Sequence, residues 1–197
     1  MKRLIDLTLC LTLTAVLLPF MFVIAAVVRL TMGGPVLFKQ RRPGRDGATF
    51  TLVKFRTMVP AGTDDQLDDG ERITKLGGFL RKTSLDELPT LFNIIGGSMS
   101  LVGPRPLLIE YLDRYSPEQA RRHEVRPGLT GLAQIAGRND ISWEERLALD
   151  VRYVDNMSLT LDLKILGKTV WQVLSRRGIS AQGHATMPKF KGNEPDE

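Results

Sequence analysis

The sequence predicts an α+β fold, mainly α. A re-entrant membrane helix broken at Pro19 occupies residues 1–32, and a small β-hairpin and several amphipathic interface helices fill a domain over residues 33–197, packed on the membrane surface. Three observations predict it. No side chain between Asp6 and Arg29 is charged. Two short alternating runs flank a Pro-Gly and Asp-Gly turn region. Helix-capping residues precede segments whose apolar positions recur at helical spacing.

The first element, "MKRLIDLTLCLTLTAVLLPFMFVIAAVVRL", is long enough to span a bilayer, which takes about 20 apolar residues. It is long for a signal-peptide core and lacks a small-x-small cleavage site. Pro19 falls inside the run, where it removes one backbone bond and kinks a helix. Both flanks are basic: Lys2 and Arg3 before, Lys39, Arg41, Arg42 and Arg45 after. The positive-inside rule draws both ends to the cytoplasm. A helix bent back at Pro19 satisfies both signals, since two arms of about 12 residues reach only ~18 Å each into a ~30 Å hydrocarbon layer. A kinked transmembrane anchor is the alternative that the residues leave open, and a buried soluble helix fits least.

The hairpin follows, with strands expected over Val36–Arg41 and Thr49–Arg56. Alternation sends Phe50, Leu52, Lys54 and Arg56 to one face and Thr51, Val53 and Phe55 to the other. "VPAGTDDQLDDGER" is acidic and expected to form a mobile loop. "RITKLGGFLRKT" forms a short helix or loop carrying Arg81 and Lys82. "SPEQARRHEV" opens with Ser116 as N-cap, Pro117 at the first helical position and Gln119 at the third. "SWEERLALDVRYV" repeats the device with Ser142 and Glu145, and Trp143, Leu147, Val151 and Val154 share a face. In "SLTLDLKILGKTVWQVLSRRG", the apolar positions Leu159, Leu163, Leu166, Val170 and Leu174 oppose Lys164, Lys168, Arg176 and Arg177. That pattern suits a helix lying in a membrane interface and equally a core helix with a solvated basic edge. The tail "GISAQGHATMPKFKGNEPDE" carries little periodicity.

The 197 residues suit one core. With 27 Lys plus Arg against 22 Asp plus Glu, the net charge is +5, which favours anionic partners: phosphates, nucleic acid or an acidic membrane surface. The single cysteine, Cys10, excludes an internal disulfide, and with only His123 and His184 beside it a structural zinc is not expected. "GGFLRKTS" lacks the Gly-Lys-Ser/Thr ending of a P-loop. No helix-turn-helix or aromatic RNA-binding signature occurs, so no nucleic-acid partner is expected.

The chemistry-bearing stretch is "RKTSLDELPTLFN", with Asp86 and Glu87 adjacent. Ser84 and Glu87 make a capping-box pattern, although Pro89 then falls too deep in the helix. A start capped by Asp86 places Pro89 in the tolerated first turn, and in both cases a carboxylate at a helix N-terminus stays ionised. Arg81, Arg105 in "GPRP", Arg126 in "RPGLTG" and Arg138 in "GRN" lie near that pair or beside Pro and Gly. Arginines on stiff loops match phosphate oxygens in pairs, and a carboxylate among them can hold Mg²⁺ or attack phosphorus.

"PVLFKQRRPGRDG", "KFRTM", "SLDELPTLFN", "SLVGPRPLL", "RPGLTGLAQIAGRN" and "LDLKIL", in this order, resemble the small monotopic phosphoglycosyl transferases of the bacterial sugar transferase family. The resemblance covers nearly the whole chain. Its tail "GHATMPKFKG" resembles that of the bacillosamine-phosphate transferases of bacterial protein N-glycosylation.

The resemblance implies transfer of a sugar phosphate from a UDP-sugar donor to undecaprenyl phosphate, with release of UMP, at the cytoplasmic face of the bacterial inner membrane. It implies a nucleophilic Asp86 that forms a covalent phosphosugar and contacts Mg²⁺, a supporting Glu87, and phosphate-binding Arg81 and Arg105. Membrane lipids are then partners, residues 33–197 are the catalytic domain, and both termini are cytoplasmic. A membrane-anchored interaction protein with a lipid-binding basic face is the competing class.

The chain departs from the family pattern in places. Leu18-Pro19 stands for a Ser-Pro pair, Gly97-Ser98-Met99-Ser100 for Gly-Asp-Met-Ser, and Leu132 and Ala136 interrupt a Gly-Trp-Ala-Gln-Val-Asn-Gly run.

Overall fold

The computed structural model describes residues 1–59, 69–137, 141–175 and 189–192. Helix α1 (Lys2–Met32) leads into an antiparallel hairpin, β1 (Leu37–Pro43) and β2 (Thr49–Phe55). The expected acidic loop falls mostly on 60–68, outside the described residues. The short α2 (Asp69–Arg72) and α3 (Lys75–Lys82) follow, then α4 (Thr90–Ile95) and β3 (Ser100–Val102). Helix α5 (Pro117–Ala120), β4 (Gly128–Thr130), α6 (Leu132–Ala136), α7 (Trp143–Asp155) and α8 (Leu159–Ser175) complete the order.

Helix α1 is long and apolar enough to cross a membrane. The expected break at Pro19 is not an interruption, because the backbone stays helical from Lys2 to Met32 with Pro19 inside. One proline removes a single i→i−4 bond while its neighbours keep theirs, so the helix continues. Both ends of α1 rest on the rest of the chain. Near its start, Lys2 pairs with Asp162 at 2.5 Å, Arg3 donates to the Ile94 and Ile95 carbonyls at 2.7 and 3.0 Å, and Ser100 donates to Asp6 at 2.7 Å. Cys10 joins the main core with Leu91, Ile94, Met99, Tyr153 and Ile165. Near its end, Met21, Ile24 and Val28 pack with Phe55 and Leu80. From Leu11 to Phe20, every residue is exposed or half-buried.

The hairpin forms as its alternation predicts, Phe38 opposite Lys54 and Arg42 opposite Phe50, with a 3₁₀ turn at Arg45–Gly47 between. Helix α4 seals the edge of β2. Asn93 donates to the Thr51 carbonyl and accepts from the Val53 amide at 2.7 and 3.0 Å, while Thr90 donates to the Val53 carbonyl at 2.9 Å. These bonds satisfy strand groups that would otherwise be buried unpaired.

Sequence patterns did not announce β3 and β4, a parallel pair that brings "SLVGPRP" beside "RPGLTG". Gly128 is required there: a Cβ would lie 2.1 Å from the Gly103 amide nitrogen. Both other expected caps form, with a complete capping box at Ser116 and Gln119 and Ser142 accepting from the Glu145 amide. On α8, Ile165 and Asp162 face inward. Leu159, Leu163, Val170 and Trp171 stay exposed, Trp171 by 69%. That outward apolar row favours the interface reading over the core reading.

Candidate active site

Three segments converge on the acidic pair. Helix α3 is started by Thr74, whose hydroxyl accepts from the Gly77 amide. It packs so closely on Thr57 that a Cβ at Gly77 would sit 1.8 Å from the Thr57 carbonyl oxygen. Ser84 then turns left-handed (φ 57°), and Leu85–Glu87 form one 3₁₀ turn before α4. The expected caps are therefore absent: Ser84 makes no side-chain cap bond, and Pro89, not Asp86, precedes α4. The left-handed Ser84 reverses the chain sharply and swings the pair toward the hairpin.

There Lys54, on β2, pairs with Glu87 Oε1 at 2.5 Å. Arg105, from the "GPRP" loop, donates Nη2 to the same oxygen at 2.8 Å. Burial alone would push the Glu87 carboxyl up, but Lys54 and Arg105 outweigh it and hold Glu87 well below the usual carboxylate range. Asp86 behaves oppositely. Burial, then the Glu87 charge, push it up to about 6 against the pull of Lys54, Arg105 and Arg81. The expectation of a carboxylate ionised by a helix N-terminus is corrected in its cause: the low group is Glu87, and cations rather than a helix end lower it. Among the described residues, Asp86 accepts no hydrogen bond and forms no ion pair, although it is only 9% exposed.

Arg81 lies close enough to act on Asp86 and donates Nε to Thr57 Oγ1 at 2.9 Å, and among the described residues its terminal nitrogens take no other partner. Arg105 is fixed from behind. Arg122 donates to the Arg105 carbonyl at 2.7 Å and to Asp150 at 2.7 and 3.1 Å. Arg126, expected at the site, is exposed and donates to the Gly97 carbonyl at 2.8 Å, so its bond points elsewhere. Arg138 lies outside the described residues.

The sequence motifs alone do not mark Lys54 as a site residue. Its signal was its place on the inward face of β2 beside Phe50 and Leu52, where a lysine needs a buried partner. Arg56, two residues on, closes the end of α1 through the Gly33 and Gly34 carbonyls at 2.8 and 2.9 Å and through Met32 O.

Among the described residues, no three His, Cys, Asp or Glu side chains converge on a metal position. The donor set still fits a hard cation such as Mg²⁺, which takes one or two carboxylates and completes its shell with water and substrate phosphates. Asp86 is the carboxylate with oxygens to spare, whereas Glu87 is already neutralised.

The family model for the bacterial sugar transferases matches residues 1–176. The chain belongs to the bacterial sugar transferase family. This transferase is 53% identical over 195 residues to the uncharacterized sugar transferase EpsL of Bacillus subtilis, covering 98% of this chain and 96% of EpsL. It is 41% identical over 187 residues to the UDP-glucose:undecaprenyl-phosphate glucose-1-phosphate transferase of Caulobacter vibrioides, covering 88% of this chain and 70% of that protein. It is also 41% identical over 197 residues to the UDP-galactose-lipid carrier transferase of Erwinia amylovora, spanning 90% of this chain but 41% of that longer protein.

Proposed function

We propose that this transferase moves a sugar 1-phosphate from a UDP-sugar to undecaprenyl phosphate and releases UMP. The observation that carries the reading is the buried Asp86 carboxylate, without a partner among the described residues, beside a Glu87 held ionised by Lys54 and Arg105. In the first half-reaction, an Asp86 oxygen attacks the phosphorus that bears the sugar. The bond from that phosphorus to the bridging oxygen breaks, and UMP leaves with the electron pair. In the second, an oxygen of undecaprenyl phosphate attacks the aspartyl-phosphosugar. The Asp86–phosphorus bond breaks, and a polyprenyl diphosphosugar forms.

Attack of one anion on another needs positive charge placed in advance. Arg81 and Arg105 supply it, and Lys54 keeps Glu87 from adding repulsion near the phosphate. A Mg²⁺ on Asp86, when bound, neutralises phosphate charge. The two anchored ends of α1 with a free middle support a re-entrant helix at the cytoplasmic face, with both termini inside. An enzyme held from one side keeps its nucleophile at headgroup height, where the acceptor phosphate lies.

For the donor, the tail supports an amino sugar of the bacillosamine type. The names of two relatives, which specify UDP-glucose and UDP-galactose, favour a neutral hexose as the second reading. UMP release from a panel of UDP-sugars in the presence of undecaprenyl phosphate decides between them. Asp86→Asn should abolish both turnover and the covalent adduct. Normal turnover in that variant would end the proposal, and lipid binding without Mg²⁺-dependent UMP release by the wild type would return the chain to the class of anchored interaction proteins.

A further inference from the structure

One strongly basic side chain near the site has no role in the scheme above. Arg42 stands toward the far end of β1. In the antiparallel register Phe38 faces Lys54, Gln40 faces Leu52 and Arg42 faces Phe50. Paired side chains share a face. The face that presents Lys54 to Glu87 therefore also carries Arg42, about 13 Å further along the strand at ~3.3 Å per residue.

Arg42 is half-buried, and its charge lies near that of Arg105, which gives Nη2 to Glu87 and keeps its other N–H groups for a ligand. Arg42 Nη2 donates to Gln40 at 2.6 Å, and its Nε is buried without a partner among the described residues. No carboxylate there lies within ion-pair distance of it; the nearest acidic influence is the exposed Glu110. Burial and Arg105 together lower its pKa to about 10, with the phenols of Tyr111 and Tyr115 and then Glu110 pulling the other way. A buried guanidinium N–H left unpaired beside a like charge is unfavourable, and an anion with several oxygens relieves both costs.

We propose that Arg42, together with Arg105, forms the subsite for the phosphate of the departing nucleoside monophosphate. This rests on the reaction proposed above. The ligand class is a phosphate monoester, which the lipid acceptor also carries, and position separates the two. Strand β1 leaves the end of α1 at Leu37 and runs past the level of Lys54 before it reaches Arg42. Along the strand Arg42 is thus farther from the end of α1 than the level of Lys54, which favours a soluble nucleotide over a lipid-tethered phosphate as its ligand. The phenols of Tyr111 and Tyr115 lie near the same guanidinium, their rings already packed against Phe190.

The test is calorimetric titration of the full chain in lipid nanodiscs with UMP and with uridine. The proteins are wild type, Asp86→Asn, Arg42→Gln and Arg42→Lys. Wild type and Asp86→Asn should bind UMP. Arg42→Gln should bind it roughly 10- to 100-fold more weakly, as expected for loss of a charge-assisted pair, with uridine affinity and the KM for undecaprenyl phosphate unchanged. Arg42→Lys keeps the charge without the fork and should fall between; it carries the test if Arg42→Gln does not fold. UMP affinity unchanged in the folded Arg42 variants overturns the subsite alone. A rise in acceptor KM with UMP binding intact moves Arg42 to the acceptor and also overturns it. A wild type that does not bind UMP overturns the reaction reading, and the subsite with it.

Discussion

Replacing Lys54 by Met tests the electrostatic design of the site with little change in volume. At 2.5 Å, the Lys54–Glu87 pair has a gross Coulomb attraction of about 7 kcal/mol at an effective dielectric near 20. Much of that offsets desolvation, since the side chains are 18% and 19% exposed, and Arg105 remains on the same Glu87 oxygen. The net loss of stability should be about 2–3 kcal/mol, which in a domain of this size lowers Tm by roughly 5–10 °C. Activity should fall further than folding does, by about 10²-fold in kcat, because in the proposed reaction Glu87 would then add its repulsion to the approach of the phosphate. Lys54→Arg should recover most of the stability and part of the rate. The measurements are UMP release and thermal unfolding on the same preparations. A Lys54→Met enzyme with wild-type kcat, or one whose loss of rate only follows its unfolded fraction, would rule out this role for Lys54.

Asp150→Leu leaves the buried Arg122 guanidinium without its carboxylate; the pair is 1% and 3% exposed, so the cost should be about 3–5 kcal/mol in denaturant unfolding. His123 is driven down from 6.5 to about 4 by burial and then by Arg122, with the Gly44 carbonyl partly offsetting them. Below pH 6.5 the unfolded chain therefore takes up a proton that the folded chain refuses. The stability this histidine contributes is complete above pH 6.5 and lost as pH falls toward 4. Unfolding of wild type and His123→Gln from pH 7.5 to 4.5 should show a shallower decline in the variant. The chain has two tryptophans, and Trp143→Phe leaves Trp171 alone. Bilayers of brominated lipid should quench that remaining emission, and no quenching would remove α8 from the interface.

Local chemistry explains what was legible in the sequence. The hairpin, the caps at Ser116 and Ser142 and the apolar α1 are set by short-range signals, and all appear. The dyad was legible as two adjacent letters, but its electrostatics were not. The left-handed Ser84 has no glycine to announce it, and Lys54 and Arg105 are 33 and 18 residues away from Glu87. For the same reason, which member of the pair is the more acidic was not legible: a carboxylate's acidity depends on which distant cations the fold brings to it. The three-residue pairing of β3 with β4 was hidden because each strand is too short to show a period.

The membrane helix and the chemistry share their fastenings. Arg3 holds the last carbonyls of α4, the helix that follows the dyad directly. Arg56 closes the other end of α1 and lies two residues from Lys54, immediately after β2. A shift of either end of α1 is thus transmitted, through one short helix or one strand, to opposite sides of Glu87. Asp6, the lone acid within α1, reinforces the first fastening through Ser100 on β3. β3 in turn leads into the loop that carries Arg105. Charged residues in an apolar helix are costly unless paired, and here each pairing also fixes an element of the site. In the proposed re-entrant placement, the depth of α1 in the lipid would therefore set the height of Asp86.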